Sequence, residues 1–155
     1  MNKKWIGVDL DGSLAHYPQT PEGTWGLKWN EIGDPFPSMV GRIQEWLAQN
    51  IEVRIMTARV FPYIHANPSF NHALGYRNKC LLTGEVFTCA DMIRVIALYT
   101  RKHIGVNLPS TCAKDWHMIE QWDDRAVQLI PNTGRTLAEE KEAEFAALHG
   151  RAQGT

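Results

Sequence analysis

The most constraining feature of this chain lies at its start. An apolar run, Trp5-Ile6-Gly7-Val8, ends abruptly in Asp9-Leu10-Asp11-Gly12-Ser13. Such a run reads as a buried strand, and Gly12 marks a turn directly after it. Side chains alternate along a strand, so Asp9 and Asp11 project the same way. Two neighbouring carboxylates repel, and keeping both ionised is expensive unless a cation sits between them. Strands of open α/β sheets present their carboxyl ends to the ligand crevice. The segment therefore predicts a divalent-metal site with a nucleophilic or basic carboxylate. An acidic turn that merely closes a strand is the simpler alternative.

The 155 residues suit one domain, over 1–150, with 151–155 frayed. A formal net charge of -1 gives no polyelectrolyte signature, so bulk affinity for nucleic acid or membrane is not indicated, although a local basic patch stays open. No apolar stretch approaches the roughly 20 residues that span a bilayer. The run after Lys3 and Lys4 reaches Asp9 too soon for a signal peptide. Cys80, Cys89 and Cys112 are odd in number and form no CxxC pair, which favours a reducing, cytoplasmic setting.

Further along, residues 14–37 carry Pro18, Pro21, Gly23, Gly26, Gly33, Pro35 and Pro37, and read as a long irregular connection. Loops of that length inside compact domains usually serve as lids or binding loops. Met39, Val40, Ile43, Trp46 and Leu47 predict a helix over 38–49, with Ser38 as its N-cap. Val53–Thr57 reads as the second strand, giving a βαβ unit and a parallel sheet. Residues 60–90, broken by Pro62, Pro68, Gly75 and Gly84, read as an inserted loop or small cap. A second amphipathic helix runs from Asp91, as N-cap, to Gly105. Met118–Trp122 is a strand ending in Asp123-Asp124, Val127–Ile130 another strand, and Leu137–His149 a terminal helix.

Asp9/Asp11, Thr57, Lys114 and Asp123/Asp124 thus all stand at the ends of apolar segments. Each alone has a plain structural reading; their order does not. Together they resemble the haloacid-dehalogenase-like (HAD) phosphohydrolase superfamily. Asp9-Leu10-Asp11-Gly12-Ser13 matches its DxDG[ST] motif, Thr57 in Met56-Thr57-Ala58-Arg59 the strand-ending Thr, Lys114 the lysine, and Asp123-Asp124 the late acidic pair. The chain is also similar to small phage and prophage HAD-like proteins with a TAR and WDDRAVQ pattern. A receiver domain fits less well, because here a second acidic pair follows the lysine and the early pair is DxD.

The resemblance implies an α/β HAD-like, Rossmann-like fold with a central parallel sheet, and a Mg²⁺-dependent phosphomonoesterase. Asp9 would be the nucleophile, forming an aspartyl-phosphate, and Asp11 the acid/base that protonates the leaving oxygen. The ion would be held by Asp9, the Asp11 backbone carbonyl, and Asp123 or Asp124, a hard-oxygen set suited to Mg²⁺. Thr57 and Lys114 would grip the phosphoryl oxygens, with Gly12, Ser13, Ala58 and Arg59 around the substrate; Arg59 either contacts phosphate or pairs with an acid.

One spacing departs from this pattern. Only three residues separate Lys114 from the strand at Met118, whereas parallel strands need a crossover of about a dozen. Residues 110–113 are therefore a loop, or a short strand in another arrangement, and Lys79 and Lys102 are substitutes for Lys114. His16, Tyr17, Trp25 and Trp29 would either stack on a base or staple the loop to the core. His65, His72, Cys80 and Cys89 lack the compact pairing of structural zinc. A nucleotide or nucleic-acid terminal phosphate is the preferred substrate; a sugar or metabolite phosphate, and a binding module without turnover, are the rivals.

Overall fold

The computed structural model describes residues 4–18, 26–65 and 68–150; Trp25 and the expected frayed tail lie outside them. The chain divides into two compact units, Met1–Asp124 and Arg125–Thr155. The first unit is α/β, a four-stranded parallel sheet flanked by helices in a Rossmann-like arrangement. Its elements are β1 (Trp5–Val8), α1 (Pro37–Ala48), β2 (Glu52–Met56), a small hairpin of β3 (Arg77–Lys79) and β4 (Val86–Thr88), α2 (Cys89–His103), β5 (Ser110–Thr111) and β6 (Met118–Trp122). The sheet order is β5-β2-β1-β6, with β1 central.

Alternation divides β1 between two faces. Ile6 and Val8 join Val53 and Ile55 in a core closed by Ile43 of α1 and by Met92 and Ile96 of α2. Trp5 and Gly7 point the other way, towards Arg54, Met56 and Met118. A side chain at position 7 would put its Cβ 3.1 Å from the Met118 sulfur and 3.2 Å from the Trp5 ring, so glycine lets those large groups close over the strand.

That second face explains the short connection between β5 and β6. The two strands lie at opposite edges of the sheet, about 14 Å apart by ordinary strand spacing. The seven steps from Thr111 to Met118 reach about 25 Å when extended, so no crossover helix is needed. Residues 112–117 strap the sheet directly, which realises the short-strand alternative for residues 110–113. Asp115 holds the strap, accepting from Trp5 Nε1 at 2.8 Å and from Arg54 at 3.1 Å. Arg54 is buried; its Nε donates to Glu52 at 2.6 Å and its guanidinium lies 4.3 Å from the Trp5 ring centre.

Both predicted helix starts are corrected. Pro37, not Ser38, opens α1; Phe36 is its N-cap and gives no side-chain bond, since a phenyl ring carries no acceptor, while its own N–H donates to the Leu14 carbonyl. Helix α2 begins at Cys89: Thr88 is its N-cap, and Asp91 is the third residue of a capping box, with Oδ2 2.9 Å from the Thr88 N–H. The described residues of the 14–37 connection are irregular apart from bridges of Ala15 to Asp11 and to Pro35. The described residues of the 60–90 insertion form a 3-10 segment, Pro68–Gly75, and the β3–β4 hairpin, before α2 begins at Cys89.

Within the second unit, Val127–Ile130 is not a strand. One bridge, Leu129 to Thr136, closes a turn in which Asn132 and Gly134 take positive φ, and Val127 and Leu129 stay exposed. Thr136 and Glu139 then cap α3 (Leu137–Gly150) reciprocally, at 2.7 and 3.1 Å.

Removing the Asp115 carboxylate leaves the Trp5 N–H and a buried guanidinium short of a partner. Asp115→Ala should lower the unfolding free energy by about 1–3 kcal/mol in urea denaturation. Trp116→Ala, on the same strap but fully exposed, should change it by less than about 0.5 kcal/mol. Equal effects from the two variants would mean that the strap is not held by Asp115.

Candidate functional site

The ladder between β1 and β6 builds the site. Val8 pairs with Trp122, and the Asp9 N–H donates to the Trp122 carbonyl at 2.8 Å. Residues more than a hundred positions apart therefore emerge side by side at the carboxyl end of the sheet. Trp122 is fixed there by the Trp46 ring, 5.3 Å away, and by the Arg42 guanidinium over its face. Carboxylate oxygens of Asp9, Asp123 and Asp124 all lie within 4.8 Å of one another. Among the described residues this is the one group of acids, histidines or cysteines close enough to share a metal ion. Three hard oxygen donors at that spacing suit Mg²⁺.

The turn after β1 holds the far side of the group. Leu14 and Ala15 N–H donate back to the Leu10 carbonyl at 3.1 and 2.8 Å, coiling the chain tightly behind Asp9. Gly12 takes φ 92°, and a Cβ there would lie 2.6 Å from an Asp124 carboxylate oxygen. Both the backbone conformation and the close approach require glycine. Ser13 Oγ accepts the Asp124 N–H at 2.9 Å, so this residue anchors the second acidic pair to the first motif. Asp123 accepts from Gln121 at 3.0 Å.

Asp11 stands apart from the three acids. Its buried carboxylate is gripped by Arg59 in bidentate fashion, Nε to Oδ2 at 2.7 Å and Nη2 to Oδ1 at 2.6 Å, with both side chains 8% exposed. Of the two readings for Arg59, pairing with an acid is the one observed. A third Arg59 bond, to the Glu31 carbonyl at 2.9 Å, ties in the irregular connection. Thr57 prepares this geometry. Its N–H is held by the Thr111 carbonyl at 2.9 Å, and its hydroxyl accepts the Arg59 N–H at 3.3 Å, capping the 3-10 turn Ala58–Val60. Ala58 is exposed at the same edge.

Lys114 is exposed on the strap and makes no contact with the acidic group among the described residues. Its neighbour Asp115 is anchored on Trp5, at the opposite end of β1 from Asp9. Lys79 instead lines a cavity that also includes Arg59, Lys28, Trp29 and Phe87. Trp29 stacks on Phe87 at 4.8 Å and 4°, and donates Nε1 to Glu85 at 3.1 Å, fastening the connection to the hairpin. His16 is exposed, edge-on to Phe36. Sequence reasoning missed the Ser13–Asp124 bond and this cavity, since both join segments with no local sign of meeting.

No protein-family model matches the chain, and neither does any curated protein or solved structure. No helix among the described residues is long and apolar enough to cross a membrane.

Burial is the main reason that the Asp9 carboxyl is pushed up to about 6; Asp123, Asp11 and Asp124 add to it, against a backbone hydrogen bond from Leu10. In the metal-free protein the fold thus binds the Asp9 proton more tightly than the unfolded chain does. Ionised Asp9 costs stability above about pH 6, and the cost fades as pH falls from about 6 to about 4. Asp9→Asn should stabilise the metal-free protein at pH 7.5 by about 1–2 kcal/mol, allowing for partial exposure. At pH 4.5 the gain should shrink markedly. Urea denaturation in chelator at both values checks this, and a gain independent of pH would contradict it.

Proposed function

We propose that this chain is a HAD-like, Mg²⁺-dependent phosphomonoesterase acting through an aspartyl-phosphate, with a nucleotide or nucleic-acid terminal phosphate as the preferred substrate. The observation that carries the reading is the convergence of Asp9, Asp123 and Asp124 within 4.8 Å, beside an Asp11 held separately by Arg59. The order of these residues along the chain, with Thr57 at the same sheet edge, supports it further. Asp9, Asp123 and Asp124 would hold the ion, which supplies charge neutralisation at the phosphoryl oxygens.

The rest follows from the residues. Phosphate monoesters are anions that repel nucleophiles, so positioning and charge dominate catalysis. An Asp9 oxygen attacks phosphorus and the bond to the leaving oxygen breaks, with a proton from Asp11 ending on that oxygen. Water then attacks the acyl phosphate, gives its proton to Asp11, and releases phosphate and free Asp9. Asp11 can serve in this way only after it takes up a proton from solvent and gives up one of its two Arg59 bonds, so that the protonated oxygen faces the leaving group. An incoming phosphate dianion offers Arg59 the replacement partner, since guanidinium binds phosphate and carboxylate with the same fork.

A binding module that keeps the fold without turnover is the second reading. The Asp11–Arg59 pair and the distance of Lys114 from the acids favour it. A sugar or metabolite phosphatase differs only in its leaving group.

Purified protein with Mg²⁺ should hydrolyse p-nitrophenyl phosphate and stop on addition of chelator. Asp9→Asn should lose about 1,000-fold or more in kcat/KM while retaining its circular dichroism spectrum. Saturable Mg²⁺ and phosphate binding with no turnover on mononucleotides, sugar phosphates and phosphorylated oligonucleotides would decide for the binding module.

A further inference from the structure

A cavity of about 150 Å³ lies between residues 27–29 and the β3–β4 hairpin. That is smaller than a whole small-molecule site, roughly 300–1,000 Å³, and matches one part of a ligand rather than all of it. Its walls are mostly apolar, with Trp29, Leu82, Phe87 and Met92 among them, and its charged lining residues, Lys28, Arg59 and Lys79, are all cations. The Trp29–Phe87 stack is fixed by the Glu85 hydrogen bond, so one wall is a flat aromatic surface already ordered before binding.

The three cations differ in what they are already bound to. Arg59 is committed to Asp11, and Lys28 has Glu31 at 3.8 Å. Lys79 has no hydrogen-bond or ion-pair partner among the described residues. Arg59 is the physical link to the acidic site, because the same guanidinium lines the cavity and holds Asp11. A group bonded to a phosphoryl at Asp9 thus has a neighbouring compartment that is mostly apolar and rimmed by Lys79, whose side chain pairs with none of the described residues.

We propose that this cavity is the leaving-group subsite, that it takes a leaving group carrying both a planar ring and a second anionic substituent, and that Lys79 meets that anion. This rests on the phosphomonoesterase reading and narrows its substrate to the class of nucleoside bisphosphates and phosphorylated oligonucleotide ends. A planar base packs on the aromatic wall with little loss of rotamer freedom, and the second phosphate lies against Lys79. A small uncharged polyol uses neither feature.

Three substrates separate the contributions: glycerol phosphate, adenosine 5′-monophosphate and adenosine 3′,5′-bisphosphate, each assayed with Mg²⁺. The value of kcat/KM should rise about tenfold at each step. Phe87→Ala should shrink the first ratio. Lys79→Gln should bring the second ratio towards one, acting mainly through KM. Binding without turnover is read by calorimetry on Asp9→Asn with adenosine 3′,5′-bisphosphate, and should weaken about tenfold when Lys79→Gln is added. Equal kcat/KM on all three substrates overturns the subsite and leaves the phosphatase standing. Lys79-dependent calorimetric binding with no turnover of any phosphate keeps the subsite and overturns the phosphatase. Turnover and binding both indifferent to Lys79→Gln remove Lys79 from the assignment.

Discussion

The parallel pairing of β1 with β6 is the contact on which the candidate site depends. It places Asp9 beside Asp123 and Asp124, although no charge at that edge favours the meeting. Strand register and the apolar faces of Ile6 and Val8 supply the free energy; burial of the Asp9 carboxyl opposes it, and the neighbouring acids add to that cost. Carboxylates held together by the surrounding fold, rather than by each other, carry a cost that a cation bound between them would offset. The supporting contacts agree with this division. Gly12 and Ser13 bring Asp124 in through backbone proximity and an N–H bond, leaving its carboxylate oxygens available.

How much of this was legible in the sequence depends on the range of the interaction. The central strand, the second strand and the acid-ended β6 could all be read, because each is a short apolar run with an abrupt polar end. The helices could be read too, but their first residues could not. Phe36 gives its N–H to Leu14 across a bridge that no local pattern announces, and Asp91 works in the capping box from its third position rather than from the cap. Val127–Ile130 has strand-like residues and no sheet to join, so it ends as one bridge in a turn.

The strap is the most instructive miss in connectivity. A general minimum length for parallel crossovers correctly excluded a helix between β5 and β6. It could not foresee that a two-residue β5, paired only with the end of β2, lets six residues cross the bare face of the sheet. That face is covered because Arg54 and Trp5 offer Asp115 a charged and a neutral donor side by side. The consequence reaches the site, since anchoring Asp115 at the amino end of β1 carries Lys114 away from the acids.

With Lys114 on the strap, Arg59 is the cation that the fold holds nearest to the acid/base candidate, and it has three demands on it. Asp11 takes two of its donors, the Glu31 carbonyl a third, and the cavity lies along its side. A guanidinium is suited to such sharing because its donors are fixed in a plane and its charge does not titrate. Ligand binding that drew Arg59 towards a phosphate would loosen Asp11 and, through Glu31, the irregular connection over 26–36. The residue two places after Thr57 therefore couples the acid/base group, the loop and the cavity. Thr57 takes part from behind, by capping the turn that aims Arg59, so its hydroxyl acts on this edge of the sheet through the arginine it positions.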